Sequence, residues 1–199
     1  MRGIRETLDA LGGATQIAFH LALGPVLHRW RTRWGATHAE LHRPLPGDDL
    51  VPRPDWSYTH AITIRAPRGA VWPWIVQLGQ GRGGFYSYEL LENLVGCDIH
   101  NVDEIRPDLQ SLHEGDVVRM HRSGLGPRVV SVEPGRALVM GGDPDDRGSS
   151  ATWSLHLVDR PDGSTRLIER GRTEIGRGPL ARLSFGPYLL DPIGFVMSR

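Results

Sequence analysis

The sequence contains no lysine; all 23 of its basic residues are arginine. That absence removes two classes of chemistry. A P-loop needs its lysine beside the nucleotide phosphates, and Schiff-base catalysis, including that of pyridoxal phosphate, needs an amine to condense with a carbonyl. Cysteine is nearly absent as well. Cys97 stands alone, which excludes an intramolecular disulfide and a multi-cysteine zinc site and points to a reducing, cytoplasmic setting. Beside an apolar segment it reads as a small packing residue rather than a nucleophile. A charge excess of either sign is also missing, because 23 acidic residues balance the arginines. No overall field draws the chain to nucleic acid, and a small or apolar partner is expected. Finally, no apolar run is long enough to span a bilayer: the strongest, Ile17 to Leu27, is short and interrupted by His20 and Pro25.

Two readings of that N-terminal stretch stay open. One is a helix packed on the domain. The other is a peripheral membrane contact, since His28-Arg-Trp-Arg-Thr-Arg-Trp34 interleaves cations with indoles suited to a lipid interface.

What the chain has in abundance is glycine, concentrated in Gly79-Gln-Gly-Arg-Gly-Gly84 ahead of Phe85, Tyr86 and Tyr88. Gly79, Gly81 and Gly84 satisfy G-x-G-x-x-G, the spacing that lets a backbone turn approach a pyrophosphate. The context does not fit. A dinucleotide fingerprint follows a buried strand, whereas Val71, Trp74, Ile75 and Leu78 recur at helical spacing. The loop is therefore expected to join two helices, and no cofactor is implied.

At 199 residues the chain suits one domain with an extension. Residues 1–54 read as a helical extension ending in a proline-rich connection from Arg43 to Pro54, which excludes a regular helix or central strand there. Residues 55–199 form the main domain. Alternation from Trp56 to Arg65 predicts a strand with Trp56, Tyr58, His60, Ile62 and Ile64 facing inward. A helix is expected from near Pro67, kinked at Pro73, and a second from Ser87 or Tyr88 until Gly96 stops it. Five strand signals follow: Asp116 to His121, Arg128 to Glu133, Arg136 to Gly141, Ala151 to Asp159 and Ser164 to Ile175. Glu133-Pro-Gly135 and Pro161-Asp-Gly163 are turn sequences, so neighbouring strands should form antiparallel hairpins. Leu180 to Met197 is apolar enough for a final helix.

An antiparallel sheet with segregated helices must curl to bury its apolar face, and this order resembles the START-like, or polyketide cyclase/Bet v 1-like (SRPBCC), superfamily. Arg33-Trp-Gly-Ala-Thr37, Pro44-Leu-Pro-Gly-Asp48, Gln80 to Tyr88, Asp98-Ile-His100 and Ser131 to Leu138 resemble a largely uncharacterised bacterial subgroup. The resemblance implies an α+β helix-grip fold: a curved antiparallel sheet wrapped on a long C-terminal helix. Relatives continue the last helix beyond Phe195-Val-Met-Ser-Arg199, and Met1-Arg-Gly-Ile-Arg-Glu6 resembles that continuation, so the N-terminal helix is expected to take its place.

In such a fold a ligand lies between the concave sheet and the last helix. Alternation then selects Tyr58, His60, Met120 and Trp153 for an aromatic and apolar wall, with Arg119 and Arg170 as polar groups, while Tyr86 and Tyr88 either line its entrance or anchor the glycine loop. Arg170 and Arg172 share one face of the last strand and Glu169 the other, and either face can be the inner one. If the arginines face solvent they pair with strand neighbours; if inward, a guanidinium fork can hold a carboxylate or phenolate. Asp98, His100 and Asp103 are metal-ligating types, but their loop lacks a regular metal motif and capping of local amides is the expected role. Two functions follow: enclosure of a small hydrophobic or amphipathic molecule, or a cyclase/aromatase-like enzyme with His60, His121 or Glu169 as acid/base group. Nothing in the residues sets an oligomeric state.

Overall fold

The computed structural model describes residues 2–142, 150–175 and 189–197. The chain begins with α1 (Arg2–Ala22), α2 (Gly24–Arg31) and α3 (His38–His42), then β1 (Trp56–Ile64), α4 (Arg68–Val76) and α5 (Glu89–Leu94). Strands β2 (Arg128–Glu133), β3 (Ala137–Gly142), β4 (Ser150–Asp159) and β5 (Thr165–Glu174) follow, and α6 (Leu190–Met197) comes last. The expected helix start at Leu180 lies outside the described residues.

The strands form one antiparallel sheet in the order β1-β5-β4-β3-β2. With helices segregated around a curved sheet, the fold is α+β of the helix-grip type. Its hairpins close where turn chemistry places them. Gly135 (φ 71°) and Gly163 (φ 79°) take left-handed backbone, and the amides of Arg136 and Gly163 donate to the carbonyls of Glu133 and Arg160.

Asp116 to His121 is a correction, because this stretch makes one isolated bridge, Val117 to Arg128, rather than a strand. Val118 N–H still donates to Pro127 O and Met120 N–H to Leu125 O. Pro127 has no N–H to return, so the ladder cannot continue.

The inner face is filled at one end by α4, whose Val71, Ile75 and Val76 pack with Leu138, Met140, Leu155 and Leu157. Pro73 sits inside α4; the carbonyl it would clash with belongs to Gly69, where no side chain crowds the adjustment. Gly96, at φ 82°, ends the α5 turn.

The outer face carries the second correction. Arg166, Arg170 and Arg172 lie there, as do Thr59, Ala61 and Ile168, but this face is not open to solvent. The proline-rich connection straps it. Leu45 packs on Ala61 and Ile168, and Asp48 lies 2.7 Å from the Arg170 guanidinium. Arg170 also donates to Thr59 Oγ1, Arg43 O and Glu40 O at 3.1, 3.0 and 2.7 Å. A buried guanidinium is tolerable only when its donors are matched in this way. Beneath the same strap, burial and the nearby Arg170 charge hold His156 down to about 4.

The free edge of β1 is covered as well. After α2 the backbone runs beside it, with Thr59 N–H donating to Thr32 O at 2.8 Å and Ala61 N–H to Trp34 O at 3.1 Å. This blunts an edge that would otherwise recruit another strand. Helix α1 lies along α6 and reaches α5, where Gly13 permits a close approach: a Cβ there would meet the Leu91 and Tyr88 side chains at 2.9 and 3.0 Å.

Candidate functional site

Antiparallel register assembles the site on the inner face beyond α4. Tyr58 opposes Gly171, which opposes Trp153 in the next strand, and Trp153 opposes Met140. The adjacent row runs His60, Glu169, Leu155, Leu138. Gly171 is the gap in the first row. With no side chain there, the Tyr58 ring lies directly over the glycine, in the space its Cβ would fill, and both aromatic side chains lean toward Glu169.

The result is a carboxylate set in an aromatic wall. Tyr58 O–H and Trp153 Nε1–H each donate to Glu169 Oε1 at 2.9 Å. On the other side, His60 Nδ1 stands 3.6 Å from Glu169 Oε2. His60 Nε2 lies 2.9 Å from the backbone carbonyl of Arg31. A carbonyl can only accept, so Nε2 bears the hydrogen and Nδ1 is the nitrogen turned to the carboxylate. Burial, and then the Glu169 charge, hold the Tyr58 phenol well above its ordinary value. Tyr58 is thus a fixed donor across the physiological range. The Tyr58 and His60 rings lie 4.6 Å apart, and Phe195 of α6 meets His60 edge-on at 5.7 Å.

A buried ion pair joins the two helices that flank His60. Arg31 of α2 and Asp191 of α6 approach to 2.7 Å, with side-chain exposures of 0% and 2%. His28 Nδ1 lies 3.2 Å from the same carboxylate oxygen, and Arg31 also donates to Gly24 O at 2.9 Å. The pair locks α2 against α6, which sets the Arg31 carbonyl that holds His60.

Of the residues expected in the wall, Tyr58, His60 and Trp153 come together here. The others lie elsewhere. Arg170 is on the strapped face, turned away because successive side chains of a strand alternate. Arg119 and Met120 are exposed near the irregular hairpin, and the Arg119 carbonyl accepts from Gln80 N–H. His121 bonds Ser123 nearby. Tyr88 precedes α5 and abuts Gly13.

Tyr86, at φ 59°, anchors the glycine loop. Its hydroxyl accepts from Gln77 Nε2 at 2.8 Å, and Gln77 in turn holds Glu104 O and Arg106 N–H. Five of the loop amides are already used: those of Gly79 and Gly84 bond each other's carbonyls, Gln80 bonds Arg119 O, Arg82 bonds Gly79 O and Gly83 bonds Gln77 O. Asn101 takes the amides of Phe85 and Tyr86. Such a loop is a structural hub, not a phosphate cradle. His100 in the following loop bonds Glu89 at 3.1 Å and lies 3.4 Å from Asp98.

Arg31, Asp191 and Gly171 escape a reading of the sequence. The ion pair joins positions 160 residues apart, and no local pattern announces it. Gly171 was findable, since a lone glycine inside a strand signals a close approach.

No family model matches the chain. Among solved structures it is similar to CalU16 from Micromonospora echinospora, with 16% identity and a TM-score of 0.35 over 58% of this chain and 57% of that one. It is also similar to DynU16 of the dynemicin biosynthetic locus, at 16% identity and TM-score 0.38, covering 72% of this chain and 46% of that one. Protein MLL2253 from Mesorhizobium loti aligns at 16% identity and TM-score 0.38 over 71% of this chain and 93% of its own length.

Proposed function

We propose that the protein is a START-like binding module that holds a small hydrophobic or amphipathic molecule against the inner face of the sheet. The observation that carries this reading is Glu169. A carboxylate within an aromatic wall needs compensation, and Tyr58 and Trp153 satisfy only Oε1. Oε2 faces His60 at 3.6 Å, beyond hydrogen-bond range, so a hydroxyl or amine of a ligand can complete it. Glu169 and His60 keep 14% and 9% of their side-chain surface exposed, so the wall is not sealed. Trp153 and Tyr58, both partly exposed, supply apolar surface for the body of the ligand.

A second reading rests on the same pair. His60 Nδ1 and Glu169 Oε2 can exchange a proton with a bound molecule, while Tyr58 donates to a developing oxyanion, the parts an acid/base cyclisation needs. The two readings separate cleanly. His60→Gln retains ligand in a binding module but abolishes turnover in an enzyme.

The test of binding is native mass spectrometry of the full chain purified from its own host, followed by extraction. A recurrent compound in stoichiometric amount, whose addition raises thermal stability, supports the reading. Bare protein in every preparation, unchanged in melting by extracts of that host, rejects it.

A further inference from the structure

From Ala10 to Leu27 the chain has no charged residue, and between Asp9 and Glu40 it has no acidic one. The structure shows which way this uncharged stretch faces. Ala10, Gly13, His20, Gly24 and Arg31 form its buried stripe. Opposite them Leu11, Phe19, Val26 and Trp30 remain 60%, 55%, 79% and 48% exposed, with Leu23 between. With exposed Thr15 these positions recur every three or four residues, on one helix face. The face runs through the α1–α2 junction, because Leu23 N–H donates to Phe19 O and Leu27 N–H to Leu23 O. Thr15, within the stripe, turns its hydroxyl back onto Leu11 O at 2.8 Å and so presents little polarity. The stripe is roughly 28 Å long at helical rise.

We propose that this stripe docks the protein flat on an anionic lipid surface. Its charge distribution selects that occupant. Arg29 and Arg33 are exposed at the Trp30 end, and the segment has no carboxylate to oppose them. A second copy would bring the same cations and the same uncharged face, whereas acidic headgroups match both. Trp30 beside arginines is the composition of an interfacial anchor. Among the described residues no helix is long and apolar enough to cross a membrane, so docking is peripheral. The inference stands apart from the ligand reading, and its readout is vesicle binding by the chain alone.

The experiment is flotation of the full chain with phosphatidylcholine vesicles, with or without phosphatidylglycerol, at low and high salt. The wild type should float with the anionic vesicles and be released by salt. Val26→Glu should lower partition roughly tenfold or more, and Arg29→Glu about fivefold on anionic vesicles, with melting temperatures unchanged. Should Val26→Glu fail to fold, Phe19→Ser serves in its place. The proposal is overturned by a wild type that floats with neither vesicle. Binding that ignores both headgroup charge and salt also overturns it, as does a dimer that Val26→Glu dissociates without any vesicle binding.

Discussion

Glu169 Oε2 and His60 Nδ1 face each other across neighbouring strands at 3.6 Å, while the two donors on Oε1 hold the carboxylate in place. Removing the carboxylate therefore does more than remove a charge. Glu169→Ala leaves the Tyr58 hydroxyl and the Trp153 indole without their acceptor and should lower stability by about 2–4 kcal/mol. Glu169→Gln keeps an acceptor and should cost less than half of that. Urea unfolding of both variants at neutral pH checks the ordering.

Gly171 makes room for Tyr58. In Gly171→Ala the new methyl would occupy the position of the Tyr58 ring, which has to move off Glu169. The expected cost is about 1–3 kcal/mol, the range for overpacking. Gly163→Ala, at a turn with open space around it, should cost only about 1 kcal/mol of left-handed backbone strain. Thermal melting of the two variants distinguishes a packing requirement from a backbone one.

Glu40 ties α3 to the outer face and gives the fold an acid limb. Its carboxyl is lowered from 4.5 to about 2, chiefly by the Arg166 guanidinium and also by Thr37. A depressed carboxyl stabilises the native state fully above its unfolded value and loses that contribution as pH falls from about 4.5 toward 2. The loss should reach at most about 3 kcal/mol. Glu40→Gln should be less stable than wild type at pH near 7, and the gap should close in acid, as followed by urea unfolding across that range.

Arg31 and Asp191 are fully withdrawn from water, so breaking the pair should be worse than replacing it. Arg31→Met alone is expected to cost about 3–5 kcal/mol, because it takes the guanidinium from a buried carboxylate and leaves His28 beside it. Adding Asp191→Leu should recover part of that loss. A double-mutant cycle in urea measures the coupling.

The inner half of the site was legible because alternation in β1 puts Tyr58 and His60 on one face, and the Pro-Gly and Asp-Gly turns fix which strands pair. Local patterns could not choose between the faces of β5. That choice depends on the strap from Arg43 to Pro54, which covers Arg170 with Asp48 from 122 positions away. Proline content excluded regular structure there but carried no information about destination. At Asp116 to His121 the strand signal was real, and Pro127 on the partner segment defeated it. The expected arginine contact at the site is thus replaced by Glu169, whose role depends on which face of the sheet is strapped.

The most direct test of ligand binding at this wall compares wild type with Gly171→Val after purification from the same host. The valine enters the space the Tyr58 ring occupies and drives that ring off Glu169, on the face of β5 opposite the one the strap covers. Native mass spectrometry of wild type should show a retained small molecule that is lost, or reduced at least about tenfold, in a folded Gly171→Val. Equal retention by both proteins, or none by either, would contradict a ligand held against Glu169.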